Sequence, residues 1–311
     1  MKPKVSAIIL HWNHFNLLKD TIESIKEQDY ENKEIIIVDN ASTDGSQSLI
    51  KQYYSDCILI ENDENYGWAK GNNIGIEYSL KNGADYVLLC NNDILLKDND
   101  VITKLVSTVE DNIEYNVLLA GGVVYYSNSL PEKIHNCGYI FYPESEKKGK
   151  YFNKFRIQND INLPENLKIV DFVSGCFMLI KKDVFSVTGL MDDLFFLYSE
   201  EASFSFSAWK SNIVSVINMD IKIYHKIASS IEENSPASIY YQYRNIYYLM
   251  KKHKSDILFR KYFIRKYYLD LIRYVIKMLI SINTNKRFES VWCALKGYID
   301  AAILKKMGKK T

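Results

Sequence analysis

Three polar residues, Asn91, Asn92 and Asp93, directly follow the apolar segment Leu88 to Cys90. In an open α/β sheet, ligands bind in the crevice at the carboxyl ends of the strands, so a strand here would deliver these side chains to such a crevice. Asp93 is a hard oxygen ligand for Mg²⁺ or Mn²⁺, and Asn91, two residues earlier, would point to the same side of the strand. Asn and Asp are also common turn residues, so the triplet alone favours an ordinary turn.

Two more polar segments accompany this triplet. The apolar run Glu34 to Val38 ends in Asp39 and Asn40, and the loop that follows has the composition of a helix start. Between these two strand ends lies the segment Asn65 to Gly75. Its glycines permit close backbone approach, and its amides can bond phosphate oxygens or hydroxyls. Such a segment binds a ligand or only turns the chain.

The first 125 residues alternate between strand and helix patterns. Strand patterns cover Val5–Leu10, Ile35–Asp39, Cys57–Glu61, Tyr86–Cys90 and Val117–Val124, and helices are predicted to begin near Asn16, Gly45, Ala69 and Asp100. This order predicts a parallel sheet covered by helices. A dinucleotide-binding dehydrogenase has a similar order, but the first strand here runs into His11 to Asn16 without a glycine. A pyrophosphate would not fit that turn in the dinucleotide manner.

The motifs Trp12-Asn13, Val38 to Ser46, Asn65 to Gly75 and Asn91 to Asp93 occur in this order along the chain. In this respect the chain resembles the family 2 glycosyltransferases, and in particular their bacterial rhamnosyltransferase-like branch, from about Lys4 to Lys252. The resemblance implies an α/β, A-type glycosyltransferase fold, with a mostly parallel Rossmann-like central sheet flanked by helices and a C-terminal helical extension. It also implies transfer of a sugar from a nucleotide-sugar donor to a glycan acceptor in cell-surface polysaccharide synthesis.

The resemblance assigns roles to individual positions. It implies that Asp39 bonds the pyrimidine ring, that Asp93 binds a divalent metal, Mn²⁺ or Mg²⁺, and that Asn73 contacts the sugar or a phosphate. Asn91 lies where the family often has an acid, and a neutral amide oxygen there predicts weaker metal binding without loss of the site. The expected nucleotide-sugar-binding residues are Asn13, Asp39, Asn40, Asn65, Gly67, Asn72, Asn73, Asn91, Asn92 and Arg244.

The second half supplies a candidate catalytic base. The segment Phe172 to Ile180 is predicted to be a strand, and the aromatic run that ends at Tyr198 leads into Glu200 and Glu201. In the family, the acid after this Glu is the general base of inverting members, and Glu201 occupies that position. A positioned base accelerates attack by a sugar hydroxyl by about 10²–10⁴-fold. Alternatively, an acidic pair is simply a solvated helix start, and Ser203 departs from the family's second Asp.

His225 and Arg244 complete the expected site. The resemblance implies that His225 binds the metal or the leaving phosphate. The segment Tyr240 to Asn245 resembles the family's Tyr-Tyr-x-x-Arg-Asn, and an Arg is suited to bidentate binding of a phosphate. The alternatives are a structural histidine and an ion pair beneath a helix.

Composition predicts the domain organisation and the compartment. A chain of 311 residues with 47% hydrophobic content can bury one large α/β domain and an appendage. We expect a catalytic domain at 1–250, with a nucleotide-sugar-binding half at 1–125 and an acceptor-binding half at 126–250, and an extension at 251–311. No signal peptide or uncharged run of about 20 residues is evident, and the five cysteines are expected to be reduced core residues, so a cytoplasmic location is predicted.

The charge is unevenly distributed. Residues 251–311 contain 16 Lys/Arg and 4 Asp/Glu, a net charge of +12, whereas residues 1–250 contain 23 and 34, a net charge of −11. Apolar residues from Leu258 to Leu279 recur at helical spacing, which predicts a basic amphipathic helix at the inner face of the cell membrane. The alternative is a helix packed on the catalytic domain. Nucleic-acid binding is not predicted, because no nucleic-acid motif is present.

The sequence leaves the substrates open. The donor is expected to be dTDP-rhamnose or a UDP-hexose, and the acceptor a glycan or lipid-linked saccharide. The polar stretch Glu144 to Lys168 is interpreted as an acceptor-side loop. Because of Asn91 and Ser203, a catalytically silent sugar-nucleotide-binding protein is the alternative function.

Overall fold

The computed structural model describes residues 2–139, 163–226, 235–253, 272, 292–297 and 299–300. The chain forms two compact units: a sheet unit of Met1–Leu194 and Glu200–Ala228, and a helical unit of Phe195–Ser199 and Ser229–Thr311. The expected acceptor-side loop lies outside the described residues except for 163–168, and so does the predicted amphipathic helix except for Ile272. The predicted domain boundary at residue 250 stays a prediction.

The secondary structure follows the predicted alternation. The strands are β1 (Val5–His11), β2 (Lys33–Asp39), β3 (Ile58–Glu61), β4 (Tyr86–Asn91), β5 (Ile94–Leu95), β6 (Val117–Tyr126), β7 (Ile134–Asn136), β8 (Leu167–Val170), β9 (Phe177–Lys181) and β10 (Val214–His225). The helices are α1 (Phe15–Lys26), α2 (Ser46–Tyr53), α3 (Gly67–Lys81), α4 (Val101–Glu110), α5 (Asp183–Thr188), α6 (Glu200–Lys210) and α7 (Pro236–Lys252), with a 3₁₀ turn at Ile113–Tyr115.

The five strands and four helices predicted in the first half are confirmed, with ends within two residues of the expected ones. The strand predicted from Phe172 was wrong at its start, because β9 begins only at Phe177. The preceding residues form a turn that is closed by a hydrogen bond from Phe177 N to Ser174 O, 3.3 Å.

The sheet is mixed, with the strand order β3-β2-β1-β4-β9-β6-β10-β5. The strands β3, β2, β1 and β4 are parallel, and β9 runs antiparallel to both β4 and β6. Residue pairing places His11 opposite Asp39, and Leu10 opposite Asn91. The polar residues that end β1, β2 and β4 therefore share one edge of the sheet.

The core of the sheet unit lies on both faces of the parallel strands. Residues 35–38 of β2 and 86–90 of β4 are continuously buried, as expected for parallel strands that helices cover on both sides. Helix α3 approaches β1 closely at Gly75, where a Cβ atom would lie 2.6 Å from Ile8 Cγ2. The close contact between helix and strand requires glycine at this position.

The helical unit contains α7 and the short segment Phe195–Ser199. Ser235 caps α7 by accepting a hydrogen bond from Ser238 N, and Pro236 occupies the first turn. The rings of Phe195 and Tyr248 lie 5.0 Å apart. Across the described part of the chain, no helix combines the length and apolarity that a membrane span requires. All five cysteines are free, but only Cys90 and Cys176 are buried, so the expected core position was wrong for Cys57, Cys137 and Cys293, which are half-buried.

Candidate functional site

Asp39 lies in a buried hydrogen-bond network where β1 and β2 end. Its carboxylate accepts bonds from Ser42 N (3.0 Å), Ser42 Oγ (2.5 Å) and Gln47 Nε2 (2.7 Å). Its Oδ1 lies 4.0 Å from His11 Nε2, and both side chains are fully buried. Burial lowers the pKa of His11 to about 4, so the imidazole is neutral at pH 7. The protein itself therefore supplies most of the bonds to Asp39.

Asn13 and Asn92 belong to the same network. Asn13 N donates to Ser42 Oγ (2.8 Å), and Asn13 Oδ1 accepts a bond from Thr43 N (2.9 Å). Asn92 Nδ2 lies 3.0 Å from His11 Nδ1 and 3.4 Å from Asn13 O. Asn13 adopts the left-handed conformation, with φ of 60°. The turn after β1 and the loop after β2 are thus joined by side-chain amides.

The amides of the Asn65 to Gly75 segment hold the start of α3. Asn40 Nδ2 donates to Gly67 O (3.1 Å) and Asn65 Oδ1 (3.3 Å), and Asn65 Oδ1 accepts from Gly67 N (2.9 Å). Gly67 has a φ of 74°, which favours glycine. Asn72 Nδ2 donates to Trp68 O (2.9 Å), whereas Asn72 Oδ1 is buried without a hydrogen-bond partner.

Asn73 connects the two halves of the sheet unit. Its Nδ2 donates to Met191 O (2.7 Å), and its Oδ1 accepts from Met191 N (3.0 Å). This pair of hydrogen bonds fixes the backbone at Met191 and leaves one N–H and one lone pair of the Asn73 amide open.

Asp93 and His225 form the candidate cation site. His225 Nε2 lies 2.9 Å from Asp93 Oδ1, and the pairing of β10 with β5 brings them together. Asp93 is only 6% exposed, yet its Oδ1 accepts no well-directed hydrogen bond, and His225 Nδ1 has no partner. Two ligands at neighbouring corners of an octahedral Mg²⁺ site lie about 3 Å apart. The spacing and the unsatisfied oxygen fit two protein ligands of a divalent cation.

The protein provides few further ligands. Among the described residues, no group of three or more His, Cys, Asp or Glu side chains could hold a metal ion. Mg²⁺ is commonly bound through one or two carboxylates together with substrate phosphates and water, so a small set of protein ligands is adequate.

Asn91 is held by an indole and by a backbone carbonyl. Its Oδ1 accepts a hydrogen bond from Trp68 Nε1, 3.0 Å, and its backbone N donates to Cys176 O, 2.9 Å. The amide oxygen that was expected to weaken metal binding is therefore used by an indole.

Glu201 has the properties of a general base. It lies in the first turn of α6, is half-buried, and its Oε2 atom is inaccessible and has no hydrogen-bond partner. Burial raises the pKa of Glu201 to about 7. With this pKa, the carboxylate is basic enough to accept a proton from a hydroxyl near neutral pH.

Asp93 and Glu201 lie in the same neighbourhood. Burial raises the pKa of the Cys176 thiol to about 12, and the negative charges of Asp93 and Glu201 also contribute to this increase. Burial and the charge of Glu201 likewise raise the pKa of Tyr139 to about 12. The Tyr139 ring stacks on Phe172, with centroids 4.4 Å apart and planes 9° apart, and Tyr139 is 41% exposed. A flat aromatic surface therefore lies close to Glu201.

Arg244 belongs to the helical unit. Its Nη1 donates to Asn245 Oδ1 (2.7 Å), and Asn245 Nδ2 donates to Leu197 O (2.6 Å) and Tyr198 O (2.8 Å). Tyr198 has a positive φ of 71°, which is rare for a bulky residue. Arg244 thus orients an amide that holds a strained segment, and its binding of a phosphate stays a prediction.

Sequence reasoning did not predict the contacts of Gln47, Trp68, Tyr139 or Asn245. For Trp68 a signal was present, because a partly buried indole N–H needs an acceptor and Trp68 lies within the Asn65 to Gly75 segment. The contacts of the other three depend on residues far away in sequence or, for Gln47, on the loop conformation.

Known proteins resemble this chain in sequence. Residues 6–188 match the family described as Glycosyl transferase family 2. The chain is 27% identical over 274 residues to the dTDP-rhamnosyl transferase RfbF of Shigella flexneri, covering 83% of each protein. It is 26% identical over 217 residues to the low-salt glycan biosynthesis hexosyltransferase Agl10 of Haloferax volcanii, covering 68% of this chain and 65% of that protein.

A solved structure shows the same fold. The mannosyltransferase PcManGT from Pyrobaculum calidifontis, in complex with GDP-Man and Mn²⁺, superimposes with a TM-score of 0.60 at 14% identity, covering 100% of this chain and 89% of that one. The predicted A-type glycosyltransferase fold is therefore confirmed.

The family match identifies a glycosyltransferase. The family match spans more than half of the chain, and the chain belongs to glycosyl transferase family 2. Both relatives act in sugar transfer by name, which does not favour the catalytically silent alternative.

Proposed function

We propose that this glycosyltransferase is an inverting, metal-dependent enzyme that transfers one sugar from a nucleotide-sugar donor to a glycan acceptor. The observation that carries the proposal is the unbonded Oε2 of Glu201, in a carboxyl whose pKa burial raises to about 7. Leaving a buried carboxylate oxygen unbonded costs free energy, and such a group is retained where a ligand completes it. The acceptor hydroxyl is the ligand that the chemistry requires.

The reaction is a single displacement at the anomeric carbon. Glu201 accepts the proton of the acceptor hydroxyl while the new bond from its oxygen to the anomeric carbon forms. The bond from that carbon to the diphosphate oxygen breaks on the opposite face, so the configuration inverts. One base suffices, whereas glycoside hydrolysis requires two carboxyl groups that flank the bond.

Asp93 and His225 would hold the divalent cation, Mn²⁺ or Mg²⁺. When bound, such a cation neutralises charge on a departing diphosphate. The 2.9 Å separation of the two protein atoms supports this role for the pair.

Asp39 retains capacity for the pyrimidine base. A carboxylate has about four acceptor sites, and the three bonds from Ser42 and Gln47 leave about one of them open. One open site suits one N–H group of a pyrimidine. We infer that the loops of Asn13, Asn40, Asn65, Gly67, Asn72 and Asn92 form the wall of this nucleoside pocket.

The proposed donor is dTDP-rhamnose or a UDP-hexose, supported by the dTDP-rhamnosyl and hexosyl transferase relatives. The stacked rings of Tyr139 and Phe172 are the proposed platform for an acceptor sugar, since sugar pockets use aromatic faces together with a few polar groups.

A thermal-shift screen of dTDP- and UDP-sugars, with Mn²⁺ and with EDTA, tests the proposal. A ligand at 100 times its dissociation constant adds about 2.7 kcal/mol to native stability. We expect stabilisation by one nucleotide class only when Mn²⁺ is present. If none of the nucleotide sugars stabilised the protein, with Mn²⁺ or with EDTA, the proposal would be contradicted.

We further propose that residues 251–311 contact the cytoplasmic face of the cell membrane, where the acceptor would be lipid-linked. The net charge of +12 supports this, because each Lys or Arg near an anionic bilayer contributes about 1 kcal/mol. Full-length protein should sediment with anionic liposomes and dissociate as salt rises, whereas a chain ending near Lys252 should not sediment. Equal sedimentation of both chains would contradict this location.

A further inference from the structure

We propose that Asn91 is not a metal ligand in this enzyme. Its amide nitrogen donates a hydrogen bond to an oxygen of the nucleoside diphosphate, and Trp68 is the positioning residue that orients the amide. This inference rests on the proposed function of the site. In the triplet Asn91 to Asp93 at the end of β4, position 91 carries an amide where the family often has an acid.

The chemistry of the indole decides the orientation of the amide. An indole N–H is only a donor, so the Asn91 atom that it bonds must be the carbonyl oxygen. The Trp68 Nε1 to Asn91 Oδ1 distance is 3.0 Å. The Nδ2 group is then directed away from the indole, and it makes no hydrogen bond to the residues that the structure describes. An amide NH₂ has no lone pair to offer a cation but two protons to offer an anion.

Trp68 cannot easily release Asn91. Its indole lies against Gly175, where a Cβ atom would come within 2.8 Å of Cζ2 and 2.9 Å of Cη2. Its carbonyl oxygen accepts a bond from Asn72, which is 1% exposed. The backbone N of Asn91 is bound to Cys176 O, next to Gly175, at 2.9 Å. Glycine at 175 therefore makes room for the ring, and the ring holds the amide.

This arrangement separates two functions at the end of β4. Asp93, with His225 at 2.9 Å, remains the protein's contribution to the cation. Asn91 faces the nucleotide sugar and offers it an uncharged N–H group. A carboxylate at 91 would also accept the indole bond, but its second oxygen would repel a diphosphate. The amide is thus matched to the indole and to an anion at once.

Isothermal titration with UDP and dTDP, across a series of Mn²⁺ concentrations, tests the inference. Hydrogen bonds to charged groups contribute about 1.5–3 kcal/mol, so Asn91→Ala should weaken nucleotide binding by about 10-fold or more. The Mn²⁺ concentration that gives half of the maximal binding should stay within about 2-fold of the parent value, because no metal ligand is lost.

Asn91→Asp separates the two roles most sharply. If Asn91 were a metal ligand, the acid would tighten Mn²⁺-dependent binding and lower the half-saturating Mn²⁺ concentration, since charged ligands bind hard cations better. On our inference the same variant binds nucleotide about 10-fold or more weakly. Tighter binding in this variant would overturn the inference and leave the proposed function intact. A parent that binds neither nucleotide would overturn both.

Two variants test Trp68 without changing Asn91. Trp68→Phe keeps a ring but removes the N–H, and Gly175→Ala pushes the ring away. Both should weaken nucleotide binding, and the effect of Asn91→Asp should be smaller in the Trp68→Phe background, a coupling that a double-mutant cycle measures. Additive effects would overturn the positioning role. Asn82→Asp makes the same chemical change at the exposed far end of α3 and should bind nucleotide like the parent.

Discussion

Two carboxylates of the candidate site differ in their hydrogen bonding: Asp39 at the end of β2 and Glu201 in the first turn of α6. Asp39 is fully buried and accepts three hydrogen bonds from Ser42 and Gln47. Glu201 has an inaccessible oxygen without a partner, and burial raises its pKa to about 7. Asp93 resembles Glu201 because its Oδ1 accepts no well-directed hydrogen bond, although His225 Nε2 lies 2.9 Å away. The protein itself supplies most of the hydrogen bonds in the first region, whereas we propose that ligands complete the second.

This difference in hydrogen bonding should affect the free energy of unfolding. A satisfied buried carboxylate contributes to stability, but an unsatisfied one lowers it by roughly 1–3 kcal/mol. Proteins retain such a deficit where function requires it, and removing it often stabilises the fold at the cost of activity. Substitution of Asp39 should therefore lower the stability of the fold more than the rate of the reaction. Substitution of Glu201 or Asp93 should lower the activity more than the stability.

The largest effect is expected for the catalytic base. Glu201→Gln keeps the size of the side chain but cannot accept a proton, so kcat should fall by about 10² or more while donor affinity persists. Steady-state kinetics and donor titration measure the two quantities. Glu200→Gln, one residue earlier, is the matched control and should retain most of the activity. If Glu200→Gln were the inactive variant, the base would be Glu200.

The cation pair should show the next largest effect. Asp93→Asn removes the charge next to His225, and we expect Mn²⁺ to bind about 10–100-fold more weakly, with loss of Mn²⁺-dependent nucleotide binding. Titration of Mn²⁺ at constant nucleotide measures this. Asp98→Asn, an exposed carboxylate five residues away, is the control. Equal Mn²⁺ dependence in parent and Asp93→Asn would remove Asp93 from the cation site.

The stability of the fold should depend on Asp39 instead. Asp39→Ala leaves the donors of Ser42 and Gln47 without their acceptor, which should lower the free energy of unfolding by about 1–3 kcal/mol. Urea denaturation measures it. Under the same conditions Glu201→Gln and Asp93→Asn should lose no stability. An Asp39→Ala variant as stable as the parent would show that the contrast between the two regions is not energetic.

The dependence on pH should reveal the raised pKa of Glu201. The carboxyl titrates near 4.5 in the unfolded chain and near 7 in the folded one, so the folded state binds the extra proton between these values. Stability from this group is full below pH 4.5 and is lost as pH rises through 7. The parent should thus lose stability relative to Glu201→Gln across this range, while its kcat/KM rises. A constant stability difference would mean that the pKa of Glu201 is not raised.

The sequence predicted the first region well and the second less completely. Strand and helix periodicity defined β1 to β4 and α1 to α4, because local patterns determine which residues face the core. The number of hydrogen bonds to each carboxylate could not be predicted from the sequence. These bonds depend on partners such as Gln47, which the conformation of a loop brings into contact. Asn91 illustrates the limit, because its partner Trp68 is 23 residues away in sequence.

The smallest effect is expected at the aromatic platform beside Glu201. Tyr139→Ala removes the ring that stacks on Phe172, and a lost aromatic contact of about 0.5–1.5 kcal/mol corresponds to an increase of about 2–12-fold in the KM for acceptor. Tyr139→Phe keeps the ring and should retain the parental KM, which separates stacking from any role of the hydroxyl. Donor affinity should be unchanged in both, because the proposed donor contacts lie at the ends of β1, β2 and β4. A Tyr139→Ala variant that binds donor weakly but acceptor normally would place this aromatic surface on the donor side, and the region completed by ligands would then extend across both substrates.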